Sequence, residues 1–175
     1  MSIWGIILIV SLTAMNRQLL SEKEIVSVSV NETFVAPGKK TVAVIQVKVK
    51  EGYHIQADKV DDESLIALSL KITADNYFNI GDPVFPTYKL FRLEGTENSL
   101  NVFDSIFIIR LPIKASTMVK DGKYLVRGKL RYQACDTKTC LFPRTMEFDI
   151  PIIVQKSGGY LLNTISLLYF KRIIY

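Results

Sequence analysis

Alternation of apolar and polar residues dominates the sequence from residue 25 to residue 154 and constrains the fold more than any other feature. Successive side chains of a strand point to opposite faces of a sheet, so alternation predicts strands with one buried face. The predicted strands cover residues 25–30, 41–50, 64–73, 101–110, 123–132 and 145–154. Short turns separate them, which is typical of an antiparallel β-sandwich in an all-β fold. Helical periodicity is nearly absent, which argues against a thioredoxin fold.

The last two predicted strands form a hairpin whose register can be deduced from the sequence. Pairing Lys129 with Glu147 aligns opposite charges and places the apolar residues of both strands on one face. In that register Cys135 and Cys140 do not lie opposite each other, because direct pairing requires a shift of one residue. We therefore expect a bulge between the body and the tip of the hairpin, near Pro143.

Cys135 and Cys140 lie five residues apart at the tip of this hairpin. In the chain-entropy model, closing so small a loop contributes only about 2 kcal/mol, which adds little to a domain that has its own core. A redox-active pair is therefore the favoured interpretation, while a structural disulfide and free thiols stay open as alternatives. Lys138 and unpaired amides of the turn would favour a thiolate, whereas Asp136 opposes that effect.

The distribution of charge and the small number of Cys and His side chains argue against a nucleic-acid-binding protein and against a zinc protein. The net charge is +5, but one basic residue lies in residues 1–20 and three lie in residues 156–175 without an acid, so the body is nearly neutral. A face that follows nucleic-acid phosphates needs clustered Lys and Arg, so we expect no nucleic-acid partner. A zinc site needs four ligands and the chain has one histidine, so we expect no metal site. We expect no cofactor either.

The two ends of the chain differ from its body. Residues 3–12 form an apolar run with the length of the hydrophobic region of a signal peptide, and a buried first strand is the alternative. The tail contains apolar residues at helical spacing, which predicts a short amphipathic helix that contacts a membrane surface, packs on the body or is part of a truncated anchor. We divide the chain into a signal peptide or N-terminal hydrophobic segment (1–20), a β-sandwich (21–155) and a C-terminal tail (156–175).

Two stretches of the sequence resemble a known family. They are YQACDTKTCLFP (residues 132–143), followed by the strand TMEFDIPI, and EGYHIQADKV (residues 51–60). The first resembles the C-terminal hairpin of the amino-terminal periplasmic domain of DsbD, the thiol:disulfide interchange protein, and the second resembles its Gly-aromatic strand. The resemblance covers about residues 24–154. It implies an immunoglobulin-like domain in the periplasm or another extracytoplasmic compartment, with association with the membrane as a further option.

The resemblance also implies a function, that of a thiol:disulfide oxidoreductase domain. The disulfide between Cys135 and Cys140 would accept electrons from a membrane-embedded thiol reductase, on the same or a separate chain. It would pass them to thioredoxin-like extracytoplasmic proteins, such as a disulfide isomerase or a cytochrome c maturation factor. By resemblance, Cys140 is the sulfur that joins the partner and Cys135 is the resolving thiol. The alternative is a non-catalytic β-sandwich that binds a partner by its surface and carries a structural disulfide.

Four further residues are candidates for the surroundings of the cysteines. The family uses an aromatic cap over the disulfide, and by resemblance Phe91 is the candidate for that cap. Tyr132 and Phe142 flank the cysteines and either shield them or belong to the core. His54 either serves a thiol as a base or is a packing residue of its strand.

Overall fold

The computed structural model describes residues 25–95, 97 and 99–156, and this part of the chain contains twelve β-strands. They are β1 (Val26–Val30), β2 (Thr33–Val35), β3 (Lys40–Val49), β4 (His54–Gln56), β5 (Ser69–Thr73), β6 (Phe78–Ile80), β7 (Lys89–Arg92), β8 (Ser99–Phe103), β9 (Ile106–Ala115), β10 (Gly122–Tyr132), β11 (Ala134–Cys135) and β12 (Arg144–Val154). The predicted segment at 1–20 and, apart from Lys156, the predicted tail lie outside the described residues. Among the described residues, none forms a helix of the length and apolarity that a membrane span requires.

The strands form three four-stranded sheets that share one core. Their orders are β1-β3-β9-β6, β2-β12-β10-β5 and β11-β4-β8-β7. Residues from all three sheets form a single buried cluster, in which Ile45 of the first sheet, Leu130 of the second and Ile55 of the third are fully buried. Among the strand pairs of the described residues, only β2 and β12 run parallel. The predicted fold class, an immunoglobulin-like antiparallel β-sandwich, is confirmed.

The strand predicted over residues 101–110 is wrong, because the chain changes sheets inside it. β8 ends at Phe103 and belongs to the third sheet, whereas β9 begins at Ile106 and belongs to the first. The break lies at Asp104 and Ser105, and Ser105 has a φ of 56°, a left-handed conformation that few residues other than glycine adopt. The strand predicted over residues 64–73 is also shorter than expected, since only Ser69–Thr73 is extended and paired.

The predicted register of the β10–β12 hairpin is confirmed. Lys129 lies opposite Glu147, and the Lys129 Nζ is 2.6 Å from the Glu147 Oε1. The same register pairs Arg127 with Asp149. The apolar residues of both strands face the core, so burial and surface charge agree on a single alignment.

The predicted bulge at the tip of this hairpin is also confirmed. The Leu141 amide donates to the Ala134 carbonyl (2.7 Å), in a register shifted by one residue from that of β10 and β12. Gln133 therefore faces two residues of the returning chain, Phe142 and Pro143. Beyond the bulge, β11 leaves the ladder of β12 and pairs with β4.

The buried core cluster includes residues of all three sheets, and neither cysteine belongs to it. We expect the double variant Cys135→Ser/Cys140→Ser to lower the free energy of unfolding by no more than about 2 to 3 kcal/mol. Urea unfolding of the variant and the parent measures this difference, and the far-ultraviolet circular dichroism of the two should coincide. A double variant that is unfolded without urea at room temperature would show that the disulfide is a structural requirement.

Candidate functional site

The two cysteines form a disulfide across the tip of the hairpin. Their Sγ atoms are bonded (1.99 Å) and their Cα atoms are 3.9 Å apart. Cys135 is fully buried in β11, whereas Cys140 on the returning chain is half-buried. The interpretation as two free thiols is therefore wrong for this state of the protein, and the two sulfurs differ in their access to solvent.

The turn between the cysteines is organised around Asp136. Its Oδ1 accepts hydrogen bonds from the backbone amides of Lys138 (2.8 Å) and Thr139 (2.8 Å). These two bonds hold the pKa of the Asp136 carboxyl below its ordinary value. The expectation that unpaired turn amides would favour a thiolate is wrong, because these amides donate to the carboxylate.

Gln56 in β4 contacts both sulfur atoms and was not singled out in the sequence. Its side chain is fully buried, and its Nε2 lies 3.2 Å from the Cys135 Sγ and 3.8 Å from the Cys140 Sγ. A glutamine within a strand carries no motif. Only the pairing of β4 with β11, which was not predicted, places it at the disulfide.

His54 lies opposite Cys135 in the pairing of β4 with β11. It is 4% exposed, and its Nε2 has no hydrogen-bond partner among the described residues. Burial lowers the pKa of the imidazole, against the opposing effect of the Asp104 and Asp136 carboxylates. His54 was interpreted either as a base for a thiol or as a packing residue. Its burial agrees with the second interpretation.

Phe91 lies in β7 and belongs to the same sheet as the disulfide. Its ring packs on the imidazole of His54, with ring centroids 4.0 Å apart. The segment after β7 also reaches the hairpin tip, because the Glu94 amide donates to the Thr137 carbonyl (2.9 Å). The structure thus brings Phe91, the predicted cap, and the residues that follow it together with the cysteine hairpin.

Tyr132 and Phe142 lie in opposite surroundings. Tyr132 is part of the buried core cluster, whereas the Phe142 side chain is 91% exposed. Phe142 lines a groove of about 370 Å³ together with Cys140 and Pro143. The half-buried Cys140 therefore lies beside an apolar surface that other molecules can reach.

No group of three or more His, Cys, Asp or Glu side chains that could hold a metal ion occurs within the described part of the chain. The chemistry that the site offers is that of the disulfide, a buried amide donor and a neighbouring imidazole.

Comparison with known proteins identifies related domains. The family described as "Thiol:disulfide interchange protein DsbD, N-terminal" matches residues 17–151. A search of curated proteins gave no match.

Two solved structures are similar to this chain. The N-terminal periplasmic domain of ScsB from Proteus mirabilis has a TM-score of 0.52 and 12% sequence identity, and the match covers 85% of this chain and 53% of that one. The chain thus spans about half the length of that structure, and at this identity the likeness shows the fold alone. The N-terminal domain of DsbD from Neisseria meningitidis, in the reduced form, has a TM-score of 0.41 and 19% identity, with 62% of this chain and 74% of that one covered.

We expect the single histidine to titrate below its ordinary pKa of 6.5, because burial disfavours the imidazolium. The unfolded state then binds a proton at higher pH than the folded state does. The contribution of His54 to stability is therefore complete above pH 6.5 and is lost as the pH falls from 6.5 through the folded pKa. Nuclear magnetic resonance gives the midpoint directly, since no other histidine contributes.

As the pH falls from about 7 to about 5, the free energy of unfolding should decrease less steeply in His54→Phe than in the parent. A midpoint at or above the ordinary value would contradict this account of the imidazole.

Proposed function

The chain belongs to the family of DsbD N-terminal domains, and we propose that it carries out thiol–disulfide exchange outside the cytoplasm through a reversible Cys135–Cys140 disulfide. It accepts electrons from a membrane-embedded thiol reductase and delivers them to thioredoxin-like proteins. The observation that carries the proposal is the disulfide at the hairpin tip, in which Cys135 is buried and Cys140 is half-buried and lines a groove. An extracytoplasmic location is supported by the relative from Proteus mirabilis, which is named a periplasmic domain.

The difference in exposure supports Cys140 as the sulfur that exchanges with partners. A thiolate must approach the sulfur it attacks, and the fully buried Cys135 offers no path for that approach. The half-buried Cys140 lines the groove and does. Cys135 then acts as the resolving thiol, which attacks the mixed disulfide from within the protein.

The exposed ring of Phe142 supports the groove as the contact surface for partners. A large apolar side chain that is 91% exposed gains more from burial in a complex than from its contacts in the free domain. It lies two residues from Cys140, so a partner that covers the ring also reaches the exchanging sulfur. Aromatic side chains often contribute strongly to such interfaces.

Phe91 is the proposed shield of the disulfide in the absence of a partner. Its ring packs on His54, which lies opposite Cys135, and the hydrogen bond from Glu94 to Thr137 holds the segment at the hairpin tip. A single hydrogen bond and a ring contact favour the closed arrangement without locking it.

A trapping experiment tests the exchange and its asymmetry. The partner is a thioredoxin-like protein that keeps one active-site cysteine, activated as a mixed disulfide with thionitrobenzoate. We expect Cys135→Ser to attack it through the Cys140 thiolate, release thionitrobenzoate and stay covalently joined to the partner. Trapping by Cys140→Ser should be at least about ten-fold slower, because its remaining thiol is buried.

The protein with both cysteines, reduced beforehand to the dithiol, is the control, since Cys135 should attack the mixed disulfide formed at Cys140 and release the partner thiol. Equal trapping through either cysteine would contradict the asymmetry. A Cys135–Cys140 disulfide that neither reacts with the free thiol form of this partner nor equilibrates with glutathione would favour the alternative of a binding module with a structural disulfide.

Removal of the Phe91 ring should open the Cys135 side of the disulfide to small thiols, in addition to the route along the groove at Cys140. We expect Phe91→Ala to be reduced by dithiothreitol several-fold faster than the parent, with a nearly unchanged reduction potential, because the cap covers both redox states alike. Leu90→Ala is the matched control, since it truncates the neighbouring, exposed side chain of β7. Equal rates for Phe91→Ala and the parent in stopped-flow measurements would exclude Phe91 as the shield.

A further inference from the structure

Gln56 holds a buried amide against the disulfide at a cost to the fold. Its side chain is 0% exposed, and its Oε1 has no hydrogen-bond partner among the described residues. A buried amide oxygen without a partner is unfavourable, and an apolar side chain of similar size would avoid that penalty. Packing therefore does not account for a glutamine here, whereas its contact with the two sulfurs offers an explanation.

The backbone of Gln56 fixes the position of the amide before any reaction. Its amide nitrogen donates to the Gln133 carbonyl at the hairpin bulge (3.0 Å). On the other side of β4, Gln56 pairs with Val102 of β8. The donor thus stands on a strand with neighbours on both sides, which is the placement that holds a functional group rigidly.

An N–H donor distinguishes a thiolate from a disulfide. The sulfur of a disulfide is an uncharged, weak acceptor, whereas a thiolate accepts a stronger, charge-assisted hydrogen bond. The Nε2 lies closer to the Cys135 Sγ (3.2 Å) than to the Cys140 Sγ (3.8 Å). We propose that Gln56 is the hydrogen-bond donor that stabilises the Cys135 thiolate when the disulfide opens, an inference that rests on the exchange proposed above.

The reaction places the charge where the donor is. The thiolate of an incoming reductant bonds to the Cys140 Sγ, the bond between the cysteines breaks, and its electron pair stays on the Cys135 Sγ. The products are a mixed disulfide at Cys140 and a thiolate at Cys135 next to the Gln56 Nε2. In the return step this thiolate attacks the Cys140 Sγ and expels the thiolate of the partner. A lower pKa at Cys135 keeps the nucleophile of that step deprotonated.

The first test measures the pKa of the Cys135 thiol in a Cys140→Ser background, from the ultraviolet absorbance of the thiolate as a function of pH. We expect Gln56→Met to raise the midpoint by about one pH unit or more, since loss of one charge-assisted hydrogen bond is of that size. The titratable groups near this thiol include His54, which lies opposite Cys135, together with Asp104, Asp136 and Lys138, and they are the same in both proteins.

Gln133→Met is the matched control for the loss of a buried amide. The Gln133 side chain is also buried near the hairpin, but its amide bonds the backbone of Ile66 (2.8 Å) and Leu141 (3.2 Å) and no sulfur is among these partners. We expect this variant to be less stable and to keep the Cys135 midpoint. An equal shift in both variants would show that the effect comes from packing and would overturn the proposal.

The second test measures reduction of the intact disulfide by dithiothreitol. We expect Gln56→Met to be reduced about ten-fold more slowly than the parent, because the leaving thiolate loses its donor. Gln56→Leu is a second variant without a donor. The test can be made if either variant is folded, as judged by circular dichroism. An unshifted midpoint together with an unchanged rate in a folded variant would overturn the role of Gln56.

These outcomes are separable from those of the exchange proposal. Trapping of a partner through Cys140 does not require Gln56, so it can succeed when the midpoint does not move. A shifted midpoint in a protein that traps no partner would support the hydrogen bond and contradict the exchange.

Discussion

The change of register between the body and the tip of the β10–β12 hairpin is the constraint on which the site depends. The body is fixed by the buried faces of both strands. A slip of one residue turns every following side chain to the opposite face of a sheet. The bulge at Phe142 and Pro143 absorbs that slip, so Cys135 can face Cys140 while β10 and β12 keep their alignment. The Gln133 side chain lies at this bulge and bonds the backbone of Ile66 and Leu141.

The bulge also explains why the two sulfurs have different surroundings. On one side of it, β11 joins β4 and becomes part of a four-stranded sheet, which buries Cys135 under Gln56 and His54. On the other side, the chain that carries Cys140 and Phe142 runs along the surface to β12. One bond therefore connects an enclosed environment, where a charge can be stabilised by fixed donors, to an open one, where partners can bind.

Patterns with many members were predictable from the sequence, and single contacts were not. The alternation of β10 and β12 and their facing charges predicted the hairpin register and the bulge, because burial and electrostatics both select that alignment. The break at Ser105 was missed, since a left-handed serine has no sequence signature and apolar residues lie on both sides of Asp104 and Ser105. Gln56 was missed for a related reason. Its importance comes from a neighbour 79 positions away, and strands as short as β4 leave too few residues for a pattern.

The hydrogen bonds around the disulfide have a consequence for how a redox carrier of this kind sets the direction of transfer. The turn is closed by the bond from the Asp136 amide to the Thr139 carbonyl and by the one from Leu141 to Ala134, and neither involves sulfur. Breaking the S–S bond removes one covalent link and leaves this backbone frame in place. We therefore expect the oxidised and reduced forms to present nearly the same surface, so that a partner cannot distinguish the two redox states by the shape of the domain. The direction of electron transfer in the proposed relay is then set by the supply of reduced donor and by the relative reduction potentials of the two partners.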